Sequence, residues 1–155
     1  MILKFINNKD ELYKTILRII RESKKYLYIV SPYMSFEKGS SSINALRFAI
    51  IDAMKRHINI IIITRGNDPQ APKDNIYKIR DFLSYSKHIY LVPYLHSKIY
   101  CNESQALITS LNLSISSLFN QNEESGVLLK INRYPESGEY NNVISYLDSL
   151  KNKAF

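Results

Sequence analysis

His96 and Lys98 flank Ser97 at the start of a short apolar run. We predict a β-strand over residues 97–101, and side chains alternate along a strand, so His96, Lys98 and Tyr100 should share a face. An imidazole beside a fixed positive charge suits a phosphate. The ammonium holds an anionic oxygen while the imidazole acts as nucleophile or proton carrier. The pair therefore indicates chemistry on a phosphate group.

Further polar residues fall at the ends of neighbouring predicted strands. Ser110 and Asn112 follow the predicted strand 106–109 and lie two residues apart, so they should share a face and add neutral hydrogen-bond donors. Glu124 precedes the next predicted strand and could accept from the second imidazole nitrogen, which would fix the tautomer. Taken singly, such residues are more often structural, solvated or part of turns. Their joint placement at strand ends favours a site.

Two more residues are candidates for binding substrate at the rim. Arg65 follows a buried apolar run, and Tyr33 follows the first predicted strand, although a place for Tyr33 in the core is an equal alternative. His57 and His88 have no partner pattern. With one cysteine and no histidine pair at ligand spacing, the sequence predicts no metal site and no cofactor. It also lacks the Gly-x-Ser-x-Gly motif of serine hydrolases.

The elements that must position these residues alternate along the chain. In the first half we expect a helix over 12–20 with Asp10 as N-cap, a strand 26–30, a helix 43–54, a strand 58–63 and a loop 65–72. A helix 74–84, a strand 88–92 and a hairpin of strands 97–101 and 106–109 follow. The last elements are a short helix 114–119, a strand 126–131, and a helix with Val143, Tyr146, Leu147 and Leu150 on one stripe. This pattern predicts the α/β class: one domain over residues 1–155, with a mixed, mostly parallel sheet sandwiched between helices.

Composition and charge narrow the class of protein. Lys and Arg number 21 against 14 Asp and Glu, and the net charge of +7 favours a polyanionic partner, either nucleic acid or an anionic membrane surface. No apolar stretch approaches the ~20 residues of a membrane span. The amino-terminal residues reach charged positions too early for a signal peptide, unless a precursor has lost one. With its one cysteine in an apolar run, we expect a reducing, cytoplasmic location.

Together the polar residues resemble the signature of the phospholipase D superfamily, most closely that of its small nucleases and restriction-endonuclease-type members. The motifs that carry the resemblance are His96-x-Lys98, Ser110-x-Asn112 and Asn122-x-Glu124. The resemblance extends upstream to residues 29–33 and 45–63, so it covers most of the chain. It implies a phospholipase D-like fold.

The resemblance also implies a role for each residue. His96 would be the nucleophile that forms a covalent phosphohistidine, or the general acid that protonates the leaving oxygen. Lys98 and Asn112 would bind phosphate oxygens, Ser110 would hydrogen-bond within the site, and Glu124 would orient a histidine. The family's chemistry uses two such motifs and no metal. This chain has one, so it is similar to half-size members that place two identical motifs across the two-fold axis of a homodimer.

The expected function is therefore metal-independent cleavage of a nucleic acid, DNA or RNA, by a homodimeric endonuclease. In one variant of this hypothesis the chain is the nuclease part of a larger defence or restriction assembly. Two alternatives remain open. A phospholipase or phosphatidyl-transfer enzyme would use the same motif, and a nucleic-acid-binding relative would keep the fold without turnover.

Two positions depart from the family pattern. Glu103 stands where the full pattern has an Asp five residues after the Lys, which we interpret as a mark of the endonuclease-type subgroup. Thr109 stands where a Gly usually precedes the Ser. A side chain there would crowd a phosphate or require a different turn, and the binding-only alternative rests on it.

Overall fold

One mixed sheet of seven strands forms the centre of the molecule. The computed structural model describes residues 2–35, 41–73, 88–131 and 138–154. Its strands are β1 (Ile2–Ile6), β2 (Tyr26–Val30), β3 (Asn59–Arg65), β4 (His88–Val92), β5 (Ile99–Asn102), β6 (Gln105–Thr109) and β7 (Gly126–Lys130). Its described helices are α1 (Lys9–Glu22), α2 (Ser41–Lys55), α3 (Ile115–Phe119) and α4 (Gly138–Lys153). The predicted helix over 74–84 falls outside the described residues.

The strand order β1-β7-β6-β5-β2-β3-β4 confirms the predicted mixed sheet. The balance of directions differs from the prediction, because only β2–β3 and β3–β4 are parallel among the described pairings. The other four pairs are antiparallel, and of these only β5 and β6 are joined by a tight turn. β1 is not among the predicted strands. It adds to the outer edge of β7, and most of its residues are exposed.

Helices cover both faces of the sheet, as predicted for the α/β class. α1 and α2 bury Leu12, Ile16 and Leu46 on one face, against Ile29 and Leu107. On the other face α4 buries Val143, Leu147 and Leu150 in a second cluster with Val30 and Ile63. Tyr146, predicted on the same stripe of α4, is instead 38% exposed. Its ring lies at the margin of the packed face because its hydroxyl hydrogen-bonds to Ser97.

The first helix begins earlier than its apolar pattern indicates. Asn8 is the N-cap, and its side-chain oxygen accepts a hydrogen bond from the Glu11 N–H at 3.0 Å. Asp10, predicted as the cap, lies in the first turn, where its negative charge is favourable near the helix amino terminus. The correction follows from geometry, since a cap must stand outside the helix, two or three residues before the N–H that it binds.

The topology brings the predicted site residues to one edge of the sheet. β2, β3, β4 and β6 end at this edge, and β5 and β7 begin there, as the pairing of Val30 with Ile99 and of Thr109 with Gly126 shows. Loops that leave this edge carry polar side chains without disturbing the core between sheet and helices. We call it the site edge.

Candidate functional site

His96 and Lys98 meet at the amino end of β5. The strand begins at Ile99, so Lys98 directly precedes it and His96 lies in the loop after β4. Lys98 Nζ is 3.5 Å from His96 Nδ1. The lysine is only 9% exposed, whereas the histidine is open to solvent. Burial lowers the pKa of Lys98, and the negative charge of Glu124 partly opposes the shift.

Tyr100, two residues after Lys98, links β5 to the chain segment after β6. Its side chain is wholly buried in the cluster under α1 and α2, and its hydroxyl donates to the Leu111 carbonyl at 2.9 Å. Burial raises the pKa of Tyr100. The phenol therefore stays neutral at physiological pH and ties β5 to the chain segment that carries Ser110 and Asn112.

Ser110 and Glu124 form the second pair at the site edge. The Ser110 hydroxyl donates to Glu124 Oε2, and the Ser125 N–H donates to Ser110 Oγ at 3.1 Å. Glu124 thus contacts Ser110 rather than the imidazole that the sequence pattern assigned to it. Its negative charge still acts on Lys98, where it partly opposes the lowering of the pKa by burial. The pair supplies a fixed acceptor beside the buried ammonium.

The contact of Lys98 with His96 bears on the imidazole tautomer. A neutral imidazole that accepts at Nδ1 carries its proton on Nε2 and has no free lone pair there. Attack on phosphorus through Nε2 requires the opposite tautomer, in which Nδ1 donates to an acceptor such as a carboxylate. The nucleophilic form therefore needs the Lys98 contact to be exchanged for an acceptor at Nδ1.

Asn112 is held by a residue that the sequence pattern did not single out. Ser31, wholly buried just after β2, places its Oγ 3.3 Å from Asn112 Oδ1 and accepts from the Leu113 N–H at 3.1 Å. The Ser31 hydroxyl also donates to the Tyr33 carbonyl at 2.8 Å. Thr64 donates to the Ser31 carbonyl at 2.9 Å. The only signal in the sequence was the dipeptide Ser31-Pro32, which directly follows β2.

Thr109 has a structural position of its own. Its hydroxyl donates to the Ser125 carbonyl at 2.6 Å and accepts from the Leu111 N–H at 3.2 Å. The side chain lies opposite Gly126, where an added Cβ would come within 2.9 Å of Thr109 Cβ and 2.8 Å of the Ile108 carbonyl oxygen. A glycine on β7 thus makes room for a threonine on β6, at the position where the family pattern has a glycine.

Glu103 is remote from the site edge. It lies in the β5–β6 turn at the opposite end of the sheet, where its carboxylate accepts from the N–H groups of Lys24 at 2.8 Å and Lys25 at 3.3 Å. It therefore anchors the connection between α1 and β2. The departure from Asp at this position concerns the framework of the fold.

Arg65 lies at the site edge with its guanidinium already engaged. Its Nε and Nη2 atoms contact the two oxygens of Asp68 at 3.1 and 2.9 Å. The Asp68 side chain is 1% exposed, and the Arg65 hydrogen bonds, with those from the N–H groups of Tyr94 and Gln70, lower the pKa of its carboxyl to about 2. For Tyr33 the sequence left a place in the core and a place at the rim of the site as equal alternatives. The residue is exposed and lies beside this pair.

A groove of about 820 Å³ opens beside His96, Lys98 and Ser110. Its remaining wall is mostly apolar and is formed by β1, β6, β7 and α4. The exposed side chains of Leu3, Ile108 and Tyr146 line it. The groove therefore joins the polar site edge to an apolar surface.

Within residues 2–35, 41–73, 88–131 and 138–154, no three or more His, Cys, Asp or Glu side chains are grouped as a metal site would require. In the same ranges no helix has the length and apolar character to cross a membrane. Cys101 is a free, buried thiol, and burial raises its pKa to about 12.

The sequence profile described as "Cardiolipin synthase, PLD-like domain" matches residues 16–146 of this chain. The match includes all the residues of the site edge described above. The chain belongs to the phospholipase D-like family. Membership confirms the resemblance inferred from the motifs and supports a phosphodiester-processing function. No curated protein sequence matches this phospholipase D-like chain.

Several solved structures have a similar fold. Nuc of Salmonella typhimurium, a phospholipase D family member, is 12% identical, with a TM-score of 0.75 over 99% of this chain and 96% of its own. NucT of Helicobacter pylori is 13% identical, with a TM-score of 0.75 and coverage of 99% and 97%. The phosphatidylserine synthase of Haemophilus influenzae is 13% identical, with a TM-score of 0.71 over 96% of this chain and 36% of its own. At such identities these structures show that the phospholipase D-like fold is shared.

Proposed function

We propose that this phospholipase D-like protein hydrolyses phosphodiester bonds of nucleic acid through a phosphohistidine on His96, without a metal ion. The observation that carries the proposal is the 3.5 Å contact between the buried Lys98 ammonium and the exposed imidazole. A cation that burial keeps from full hydration binds a phosphate oxygen strongly, and an imidazole in the open can reach phosphorus. The net charge of +7 favours a polyanionic substrate.

The reaction needs a nucleophile and one group that transfers protons. In the first step His96 Nε2 forms a bond to phosphorus, the P–O bond to the leaving group breaks, and a second group gives that oxygen a proton. In the second step this group takes a proton from water, whose oxygen attacks phosphorus and releases the imidazole. Lys98 and Asn112 would hold the non-bridging oxygens, and Ser110 would position Glu124.

We propose that a second copy of the chain supplies the other histidine. The sequence contains one His-x-Lys motif, and a two-fold axis at the site edge would bring two copies of His96 to one phosphate. The apolar groove is continuous with His96, and its exposed Leu3, Ile108 and Tyr146 are suited to burial in an isologous interface. A Glu124 carboxylate of either copy could then serve as the acceptor at Nδ1.

Cleavage of labelled single- and double-stranded DNA and RNA in excess EDTA tests the mechanism. We expect the wild-type protein to cut at least one of the four and the His96→Ala protein to lose the activity by several orders of magnitude. His88→Ala removes another exposed histidine, at the start of β4, and serves as the matched control. Retained cleavage by His96→Ala, or activity that EDTA abolishes, contradicts the proposed mechanism.

Mixing experiments test the shared site. If each reaction uses one His96 from each copy, an excess of His96→Ala protein should suppress wild-type cleavage by subunit exchange. Ile108→Glu places a charge in the apolar groove and should yield monomers by light scattering, with loss of activity. If an excess of the His96→Ala protein leaves wild-type cleavage unchanged, one chain is sufficient for the reaction and the proposal of a shared site is wrong.

Phospholipid is the second candidate substrate, favoured by the apolar groove beside Lys98. In that case an acyl chain would occupy the groove in place of a second copy. Vesicles of phosphatidylcholine and phosphatidylglycerol separate the two. Release of headgroup or transfer of the phosphatidyl group, with no cleavage of any nucleic acid, would replace the nuclease proposal. A nucleic-acid-binding relative without turnover would instead show salt-dependent binding that His96→Ala leaves unchanged.

A further inference from the structure

Two exposed tyrosines lie near Arg65 at the site edge. Tyr94, in the loop between β4 and His96, is 65% exposed, and Tyr33, after β2, is 43% exposed. The guanidinium carbon of Arg65 lies 5.8 Å from the centre of the Tyr94 ring, a cation–π distance. The Tyr33 hydroxyl lies within electrostatic range of the same guanidinium. We call these three side chains the tyrosine platform.

The structure holds Tyr94 in an unusual position. Its φ of 56° lies in the left-handed region, which a bulky side chain adopts only when its surroundings impose it. The constraint comes from Asp68, whose buried carboxylate accepts from the Tyr94 N–H at 3.0 Å while it binds Arg65. One buried carboxylate thus binds both the backbone of Tyr94 and the guanidinium that lies against its ring.

The platform is connected to both halves of the site edge. Tyr94 stands two residues before His96 on the same loop. On the other side, the Ser31 hydroxyl that donates to the Tyr33 carbonyl at 2.8 Å also lies 3.3 Å from Asn112 Oδ1. The platform and the proposed phosphate-binding residues therefore share the site edge, and a strand bound there could contact both.

We propose that the tyrosine platform stacks an unpaired base next to the scissile phosphate, so that the protein binds single-stranded nucleic acid. This inference rests on the proposed function, because it names the substrate class for the same site. Every base has a face that can stack on tyrosine or on a guanidinium plane, so such a platform is tolerant of sequence. In a duplex these faces are covered by neighbouring base pairs, and the platform discriminates against it.

Binding measured without cleavage tests the platform independently of the reaction. In the His96→Ala background and in EDTA, we would measure the affinity for a short labelled single strand, for the duplex of the same sequence, and for an abasic strand with the same phosphates. The single strand should bind most tightly. Tyr33→Leu and Tyr94→Leu should each weaken its binding about tenfold, whereas Tyr33→Phe and Tyr94→Phe should stay within about twofold because they keep the ring. Binding of the abasic strand should not change.

Two controls complete the experiment. Phe48→Leu removes an exposed aromatic from the solvent face of α2 and should leave strand binding unchanged. A 2-aminopurine in the single strand should lose fluorescence on binding to the parent protein and to the Phe variants, and keep more of it with the Leu variants.

Several results overturn the proposal. One is equal binding of abasic and base-bearing strands by the parent protein, that is, the His96→Ala protein with both tyrosines intact. Others are unchanged affinity in both Leu variants and no binding of any single strand. The last is that the Leu substitutions weaken binding to anionic phospholipid vesicles but not to the single strand. The comparison of strands uses the parent protein alone, so it holds even if a Leu variant fails to fold. If the wild-type protein cuts no substrate while its strand binding depends on the rings, the proposed reaction fails and the platform stands.

Discussion

The Nζ atom of Lys98 lies 3.5 Å from Nδ1 of His96, and the lysine is nearly buried while the histidine is exposed. The protonation state of the lysine therefore acts directly on the proposed nucleophile and on any phosphate that it binds. Burial lowers the pKa of Lys98, so the ammonium loses its proton at a pH below the 10.5 of an ordinary lysine.

The first prediction concerns the alkaline side of the pH profile. As pH rises through the lowered pKa of Lys98, the positive charge is lost, and kcat/KM should fall in a range where ordinary lysines are still charged. Lys98→Arg keeps its charge at all accessible pH values, so the alkaline fall should vanish from its profile even if the overall rate is lower. An alkaline fall that is unchanged in Lys98→Arg would assign it to another group.

The free energy of unfolding should also depend on pH through the lowered pKa of Lys98. Between the lowered pKa of folded Lys98 and the ordinary pKa of the unfolded chain, the unfolded state binds more protons, so this group makes the free energy of unfolding rise with pH. Lys98→Met should lose that contribution, which urea titrations of the two proteins in parallel would measure.

The second prediction assigns Ser31 a positioning role. Its buried hydroxyl contacts Asn112, 81 positions away in the sequence, so Ser31→Ala should release the Asn112 amide and lower kcat/KM about tenfold. In an Asn112→Ala background the same change should have little further effect, because the group that it positions is gone. Two fully additive effects would argue against the coupling.

Ser23→Ala is the matched control for Ser31→Ala. Ser23 is also wholly buried, and its hydroxyl donates to the Ile19 carbonyl at 2.7 Å, at the end of α1. The variant should lose stability by about 1 kcal/mol, with no change in kcat/KM per folded molecule.

The third prediction concerns the fit between Thr109 and Gly126. In Gly126→Ala the new Cβ would come within 2.8 Å of the Ile108 carbonyl oxygen and 2.9 Å of Thr109 Cβ, and neither atom is the free end of a flexible side chain. We expect a loss of about 1–3 kcal/mol in the free energy of unfolding, measured by urea denaturation. Gly138→Ala is the control. Among the described residues, no atom beyond its chain neighbours and the backbone of its own helix lies within 4 Å of the added Cβ, so the change should be neutral or slightly stabilising. Equal stabilities for the two variants would contradict the packing described for β6 and β7.

The fourth prediction separates Glu103 from catalysis. Its carboxylate accepts from the backbone of residues 24 and 25, so Glu103→Ala should lower the free energy of unfolding by about 1.5–3 kcal/mol while leaving kcat and its pH profile unchanged. Glu11→Ala removes an exposed carboxylate paired with Lys4 and should cost far less. A change in the pH profile of Glu103→Ala would place Glu103 in the catalytic machinery.

Much of the local structure could be predicted from the sequence because its causes are local. β-Branched and aromatic runs predicted β2 and β4 with their observed bounds, and the apolar spacing predicted α1 and α2. The first turn of α1 was less predictable, because Asn8 and Asp10 are both good caps and only the backbone conformation decides between them. β1 was missed because it is short and mostly exposed, and its strand form depends on pairing with β7.

The sequence indicated that His96 and Lys98 precede a strand and that Ser110 and Glu124 stand at the ends of consecutive strands, because these positions depend on the apolar runs beside them. The strand is shorter than predicted, since β5 begins at Ile99, so strand alternation does not explain the contact of His96 with Lys98. Only the tertiary structure decided what joins distant segments. It placed Ser31 beside Asn112 because β5 pairs with both β2 and β6, and it set Glu124 against Ser110 and not against the imidazole. It also brought the Tyr94 N–H to the Asp68 carboxylate that pairs with Arg65. Such contacts depend on strand order and burial, and these arise from the packing of the whole chain.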